Sequence, residues 1–106
     1  MSKNKYTLKL TNKAQNDLDR IYNYISKDLD AAIAAENLIG EIEQNLLRLE
    51  EFPYSCSSVT DDFLKKKGYR KIIVDNYIGF YLVDEEVNAV VVLRFLYGKQ
   101  KFEDIL

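Results

Sequence analysis

A two-layer α+β fold, with a helical hairpin lying on a small, mostly antiparallel sheet, follows from three features of this sequence. Near the start, Tyr6, Leu8 and Leu10 alternate with Thr7 and Lys9, the period of a half-buried strand. Two stretches then return apolar residues every three or four positions, the mark of helices with one apolar stripe. Last, the region 69–97 holds three strand-like runs parted by short polar turns. Helical stripes need an apolar surface to cover, and one face of the sheet supplies it. The expected order is therefore an N-terminal strand, a helical hairpin, then a three-stranded antiparallel meander. A chain of 106 residues fits one domain, 1–106, and leaves no room for two.

Thr11 offers an N-cap for the first helix. Behind it Ala14, Leu18, Ile21, Ile25 and Leu29 form the buried stripe, while Asn16, Asp19, Arg20 and Asn23 face water. Asp30 is placed to cap the second helix, whose stripe is Ala35, Leu38, Ile42, Leu46 and Leu49. Gly40 costs this helix about 1 kcal/mol relative to alanine, and its expected use is a close approach to the first helix or the sheet. Pro53 stops the helix. A few residues between two helices make an antiparallel hairpin.

Residues 54–68 are a polar connection, with a short helical turn expected at 61–64. Strands follow at 69–74 and 77–83, joined by Asp75-Asn76, a good turn pair. After a turn at 84–88, the run from Ala89 to Tyr97 is apolar on both faces except for Arg94, which marks a central strand. By simple alternation Val90, Val92 and Leu96 share one face and Val91, Leu93 and Phe95 the other. One set packs under the helices and the other needs a cover. Gly98 ends the strand and a tail follows it.

Composition excludes several chemistries. There is no His and one Cys, so a His/Cys metal site and a His-based triad are ruled out. Cys56 cannot form an internal disulfide, and with no signal peptide a reducing cytoplasm is the expected compartment. No apolar run reaches the ~18 residues of a membrane helix. The net charge of −2 hides an asymmetry: residues 1–62 carry seven basic and eleven acidic side chains, and residues 63–101 carry eight basic and four acidic ones. A basic C-terminal half suits phosphate or an acidic partner, but the chain as a whole is too acidic for a generic nucleic-acid binder.

Particular residues go further than pattern. Leu10-Thr11-Asn12-Lys13-Ala14, then Asp17-Leu18-Asp19-Arg20-Ile21-Tyr22-Asn23-Tyr24-Ile25, open the chain. Ala34-Ala35 and the helix ending in Phe52-Pro53 follow. Gly68-Tyr69-Arg70-Lys71 leads through Asn76-Tyr77 to Phe80-Tyr81-Leu82-Val83, and Val92-Leu93-Arg94-Phe95-Leu96-Tyr97-Gly98 closes the set. In this order, over about residues 6 to 106, the sequence resembles the RelE/ParE superfamily of toxins from bacterial type II toxin–antitoxin (plasmid stabilisation) pairs, nearest to its ParE-like branch. The resemblance implies the fold above, a cognate antitoxin as partner, and one of two activities. RelE-like members cleave messenger RNA on the ribosome; ParE-like members act on DNA gyrase. It implies no cofactor, metal or membrane.

Departures from the nuclease branch choose between these. Ile78 stands where RelE-like nucleases place an Arg, Gln100 replaces another, Phe102 or Leu106 occupies the place of a C-terminal Tyr, and Leu96 that of a His used by YoeB-like nucleases. Cleavage by an RNA 2′-hydroxyl needs a base, cations and an acid. Here Arg70, Lys71, Arg94 and Lys99 are the candidate cations and Tyr97 the candidate proton donor, a thinner set. Those five residues are also the candidate target-binding surface, so gyrase inhibition is expected, with ribosome-dependent cleavage and a degenerate, non-toxic binding module as alternatives. Four of the five also have a structural role open to them. Arg94 inside an apolar strand demands a counter-ion, such as Asp75 or Asp17. Arg70 and Lys71 suit a solvated sheet edge, and Tyr81 and Tyr97 suit core or rim. The exposed helical hairpin and the uncovered sheet face are expected to meet the antitoxin, and a second copy in a homodimer would cover the sheet face as well.

Overall fold

The computed structural model describes residues 5–55 and 66–98. Cys56, the helical turn expected at 61–64 and the tail at 99–106 lie outside the described residues. The elements are β1 (Thr7–Leu10), α1 (Asn12–Asn23) running on into one π-helical turn (Tyr24–Asp28), α2 (Ala32–Arg48), β2 (Arg70–Val74), β3 (Tyr77–Asp84) and β4 (Ala89–Tyr97). The sheet order is β1-β4-β3-β2. Strands β2, β3 and β4 form the expected antiparallel meander, and β1 joins it parallel to β4, so the sheet is mixed and β4 is interior. Among the described residues no helix is long and apolar enough to cross a membrane.

The Thr11 side chain caps α1 by accepting the Ala14 amide at 3.1 Å, and its hydroxyl donates to the Leu93 carbonyl at 2.9 Å. The cap thus also fastens the helix to β4. The hairpin buries Ala14 and Ile21 from α1 and Leu38, Ile42, Leu46 and Leu49 from α2 against Tyr81, Val90, Val92 and Phe95. Leu18 is half-buried at the margin of this core. Leu29 departs from the expected stripe and is 55% exposed. The π turn just before it takes in an extra residue, which rotates Leu29 away from the sheet.

Asp30 does not cap α2. Its φ of 52° places it in the left-handed region, tolerated by a short polar side chain, and the cap position falls to Ala31, which has no polar side chain to offer. The far end of α2 closes at Arg48, ahead of Pro53, through tightened bonds such as Glu50 N–H to the Leu47 carbonyl at 3.0 Å. Pro53 is buried, and its carbonyl accepts the hydroxyl of buried Tyr81 at 2.9 Å.

One bulge overturns simple alternation along β4. Phe80 lies opposite Arg94 and Tyr81 opposite Val92, which leaves Leu93 as the extra residue. Side chains beyond it change face, so Phe95, expected on the face opposite Val90 and Val92, joins their cluster, while Leu96, though buried, falls outside it. Gly79 makes room for the Phe95 ring: a Cβ there would lie 2.5 Å from it. The close-packed glycine is therefore Gly79, not Gly40, around which nothing lies within 4 Å of a built Cβ.

The two glycines predict opposite outcomes. Gly79→Ala should destabilise the protein by about 1–3 kcal/mol through overpacking. Gly40→Ala, in an open helix interior, should stabilise it by about 1 kcal/mol. Urea unfolding of both variants checks the pair.

Candidate functional site

The most connected side chain of the sheet–helix junction is Asp17, which is buried. Strand β1 has four residues and β4 has nine, so beyond Leu10 the β1-side edge of β4 runs against α1 instead. There one Asp17 oxygen accepts the Phe95 amide at 3.0 Å and Arg94 Nε at 2.7 Å, while the other accepts Arg94 Nη2 at 2.9 Å and Arg20 Nη1 at 3.2 Å. Burial alone would raise the Asp17 pKa. The Arg94 hydrogen bonds, the Phe95 amide and the charges of Arg94 and Arg20 outweigh it, and the carboxyl is held below its ordinary range. Asp17 is the acid, of the two named from sequence, that pairs with Arg94.

This pair lies at the base of a groove of about 680 Å³ between the C-terminal half of α1 and the end of β4. Its walls carry Arg20, Ile21, Tyr24, Tyr77, Leu96 and Tyr97. Tyr77 and Tyr97 meet edge to face with centroids 5.8 Å apart. Burial, and then the nearby Tyr24 and Tyr97 phenols, raise the Tyr77 pKa.

The five residues singled out from sequence do not form one cluster. Arg94 and Tyr97 line this groove together. Lys71 lies in register with Phe80 and, through it, Arg94, and Phe80 between them is buried. Arg70 sits in the row of Tyr81, four residues along β2 from the row of Tyr77 and Tyr97, or about 13 Å. Lys99 lies outside the described residues. The Arg70 guanidinium stacks 4.8 Å above the Tyr54 ring. Tyr54 and Tyr6 both donate their hydroxyls to Glu85 in the β3–β4 turn. That carboxylate pushes the Tyr54 phenol up to about 12 and raises Tyr6, while the two donors lower Glu85 itself. Arg70 thus belongs to an exposed clasp that ties the chain after α2 to the sheet.

A second groove, of about 590 Å³, runs on the other side of α1, between β1 and the hairpin. Leu8, Leu10, Leu18 and Ile39 give it apolar walls, and Asp19 and Glu43 give it an acidic rim. Reading the sequence alone missed both grooves, because each is assembled from residues far apart in the chain. The signals present were the tyrosines flanking the α1 stripe and the unlike charges of adjacent Asp19 and Arg20.

The family profile described as the ParE toxin of the type II toxin–antitoxin system parDE matches residues 8–102. No curated protein matches the sequence. Among solved structures, the chromosomal ParDE system of P. aeruginosa superposes with a TM-score of 0.72 at 20% identity, over 90% of this chain and 98% of that one. The isolated E. coli RelE toxin gives 0.62 at 15% identity, over 95% and 99%. The RelBE2 toxin–antitoxin complex of Mycobacterium tuberculosis gives 0.59 at 20% identity, over 88% and 98%.

Asp17→Asn should destabilise the fold by about 3 kcal/mol, since it strips the counter-ion from a largely buried guanidinium. A double-mutant cycle with Arg94→Met should show strong coupling. A carboxyl with a depressed folded pKa stabilises the protein above its unfolded value, about 4, and that stabilisation is lost as pH falls through the folded value. The wild type should therefore lose stability on acidification below about pH 4 more steeply than Asp17→Asn, as followed by thermal melts across pH.

Proposed function

Because this chain belongs to the ParE toxins of type II toxin–antitoxin systems, we propose that it arrests bacterial growth by binding DNA gyrase without cutting nucleic acid, and that a cognate antitoxin neutralises it. The observation that carries this reading is the commitment of Arg94. Phosphodiester cleavage needs cations free to meet a developing phosphorane charge, with an acid and a base beside them. Arg94 gives both Nε and Nη2 to Asp17. Ile78 and Leu96 oppose each other two residues along from Arg94, so hydrocarbon fills the two positions where the nuclease branch carries Arg and His. What the described surface offers is a binding face. Tyr97, 41% exposed at the groove rim, is the kind of amphipathic anchor that concentrates binding energy.

The antitoxin reading rests on the groove beside β1. Its apolar walls and acidic rim suit an amphipathic segment bearing Lys or Arg. The ParDE and RelBE2 structures are of toxin–antitoxin systems, which supports a partner of that kind.

Induction of the protein alone should stop growth, trigger DNA-damage signalling and impair supercoiling, with messages intact. Primer extension is the decisive contrast, since ribosome-dependent cuts within translated codons would overturn gyrase inhibition in favour of a nuclease. Normal growth at verified soluble expression would show a non-toxic family member. The second outcome concerns neutralisation. Asp19→Lys together with Glu43→Lys should weaken antitoxin binding about tenfold or more in low salt, with a smaller loss in high salt, as measured by titration calorimetry.

A further inference from the structure

Helix α1 divides two grooves of unlike character. Asp19 and Glu43 rim the one beside β1, and Arg20, next to Asp19 in sequence, rims the one beside β4. The groove beside β4 combines three tyrosines with a net positive charge. Arg94 and Arg20 together outnumber the single carboxylate of Asp17, which is already satisfied by Arg94 and the Phe95 amide. Arg20 adds only a longer contact of 3.2 Å and keeps 71% of its side chain exposed. Tyr24 is 50% exposed on the same wall. Large rings left in water around an apolar groove mark an interaction surface, and Tyr with Arg is the pairing enriched where binding energy concentrates.

We infer that this groove docks an acidic segment of a protein partner, with a carboxylate placed on Arg20 and an adjacent apolar or aromatic side chain set among Tyr24, Tyr77 and Tyr97. The inference rests on the toxin reading and names the chemistry of the partner's contact. Charge complementarity selects the occupant. A basic segment is repelled here and accepted by the groove on the other side of α1, so one helix sorts two partner segments by sign. A nucleic-acid strand is disfavoured because its affinity grows with the number of phosphates neutralised. Among the described residues the groove walls carry one exposed cation, on a chain of net charge −2 and sequence pI about 5.2.

The test uses the full chain and a random glutamate–tyrosine copolymer as probe, with polyglutamate, a lysine–tyrosine copolymer and oligothymidylate as comparators, read by fluorescence anisotropy. The glutamate–tyrosine copolymer should bind best. Arg20→Gln and Tyr24→Ala should each weaken it about tenfold or more with cooperative unfolding retained, and Arg48→Gln, a matched neutralisation on exposed α2, should not. Equal or tighter binding of oligothymidylate that Tyr24→Ala removes would make the groove a nucleic-acid site. A preference for the lysine–tyrosine copolymer, or equal binding by Arg20→Gln and wild type, would also overturn the inference. Growth arrest, followed in parallel, separates the two levels. If Tyr24→Ala loses the copolymer yet still arrests growth, the groove is not the target contact while the toxin reading survives. If the wild type binds the copolymer but arrests nothing, the toxin reading fails and the docking chemistry remains.

Discussion

The buried carboxylate of Asp17 joins parts of the molecule that lie 77 and 78 residues apart in sequence. Its role follows from unequal strand lengths. Once β1 ends, β4 has a row of backbone groups facing no strand, and a buried amide without a partner costs about 1–3 kcal/mol. Covering a sheet edge with a helix removes the edge from solvent but supplies no ladder, because the helix spends its own backbone groups internally. Side chains must supply the missing partners. Thr11 does so for the Leu93 carbonyl and Asp17 for the Phe95 amide. A buried anion then needs a cation, and Arg94, the one charge in an otherwise apolar strand, meets that need.

The bulge completes the same device. It inserts Leu93 and carries Phe95 round to the helix face. Phe95 then demands the space that Gly79 leaves open in the next strand. The Phe95 amide is turned outward to Asp17 while its ring packs inward, so a single residue links the ion pair to the core. Nearby, β4 ends in Leu96 and Tyr97, and α1 loosens into a π turn at Tyr24. The groove is the space between a strand that continues and a helix that has begun to unwind.

Much of this was legible in the sequence. Apolar periodicity and turn residues outline β1, α1, α2 and the three strands of the meander, and the apolarity of Ala89–Tyr97 on both faces, broken only by Arg94, places β4 inside the sheet. Arg94 announced a counter-ion, and Asp17 was one of two acids named for it. What failed did so for geometric reasons. A bulge is invisible to a rule that assumes strict alternation, and that rule sets Phe95 on the wrong face. A π turn is equally invisible to a rule that assumes 3.6 residues per turn, and that rule counts Leu29 as core although it is exposed. Gly40 and Gly79 look alike as letters, and only the position of the Phe95 ring distinguishes them. The candidate site was less legible than the fold. Arg94 and Tyr97 were named, but Arg20, Tyr24 and Tyr77 become neighbours only when α1 is laid along β4.

The two arginines of the groove illustrate how a small fold divides one chemistry between structure and recognition. Arg94 meets Asp17 through two nitrogens in the fork-to-fork geometry that suits a planar guanidinium and that Lys cannot reproduce. Its side chain is 16% exposed, and moving it toward a ligand would strand a carboxylate inside the protein. Its charge therefore acts where it stands, as a fixed field in the groove. Arg20 lacks that constraint, since Asp17 keeps a bidentate partner and an amide if Arg20 swings away. A cation that can leave its ion pair at little cost is the one able to follow an incoming carboxylate, and the fixed Arg94 charge beneath it makes up for the anion left behind. The interaction that holds the helix to the sheet thus also frees the neighbouring arginine for a partner.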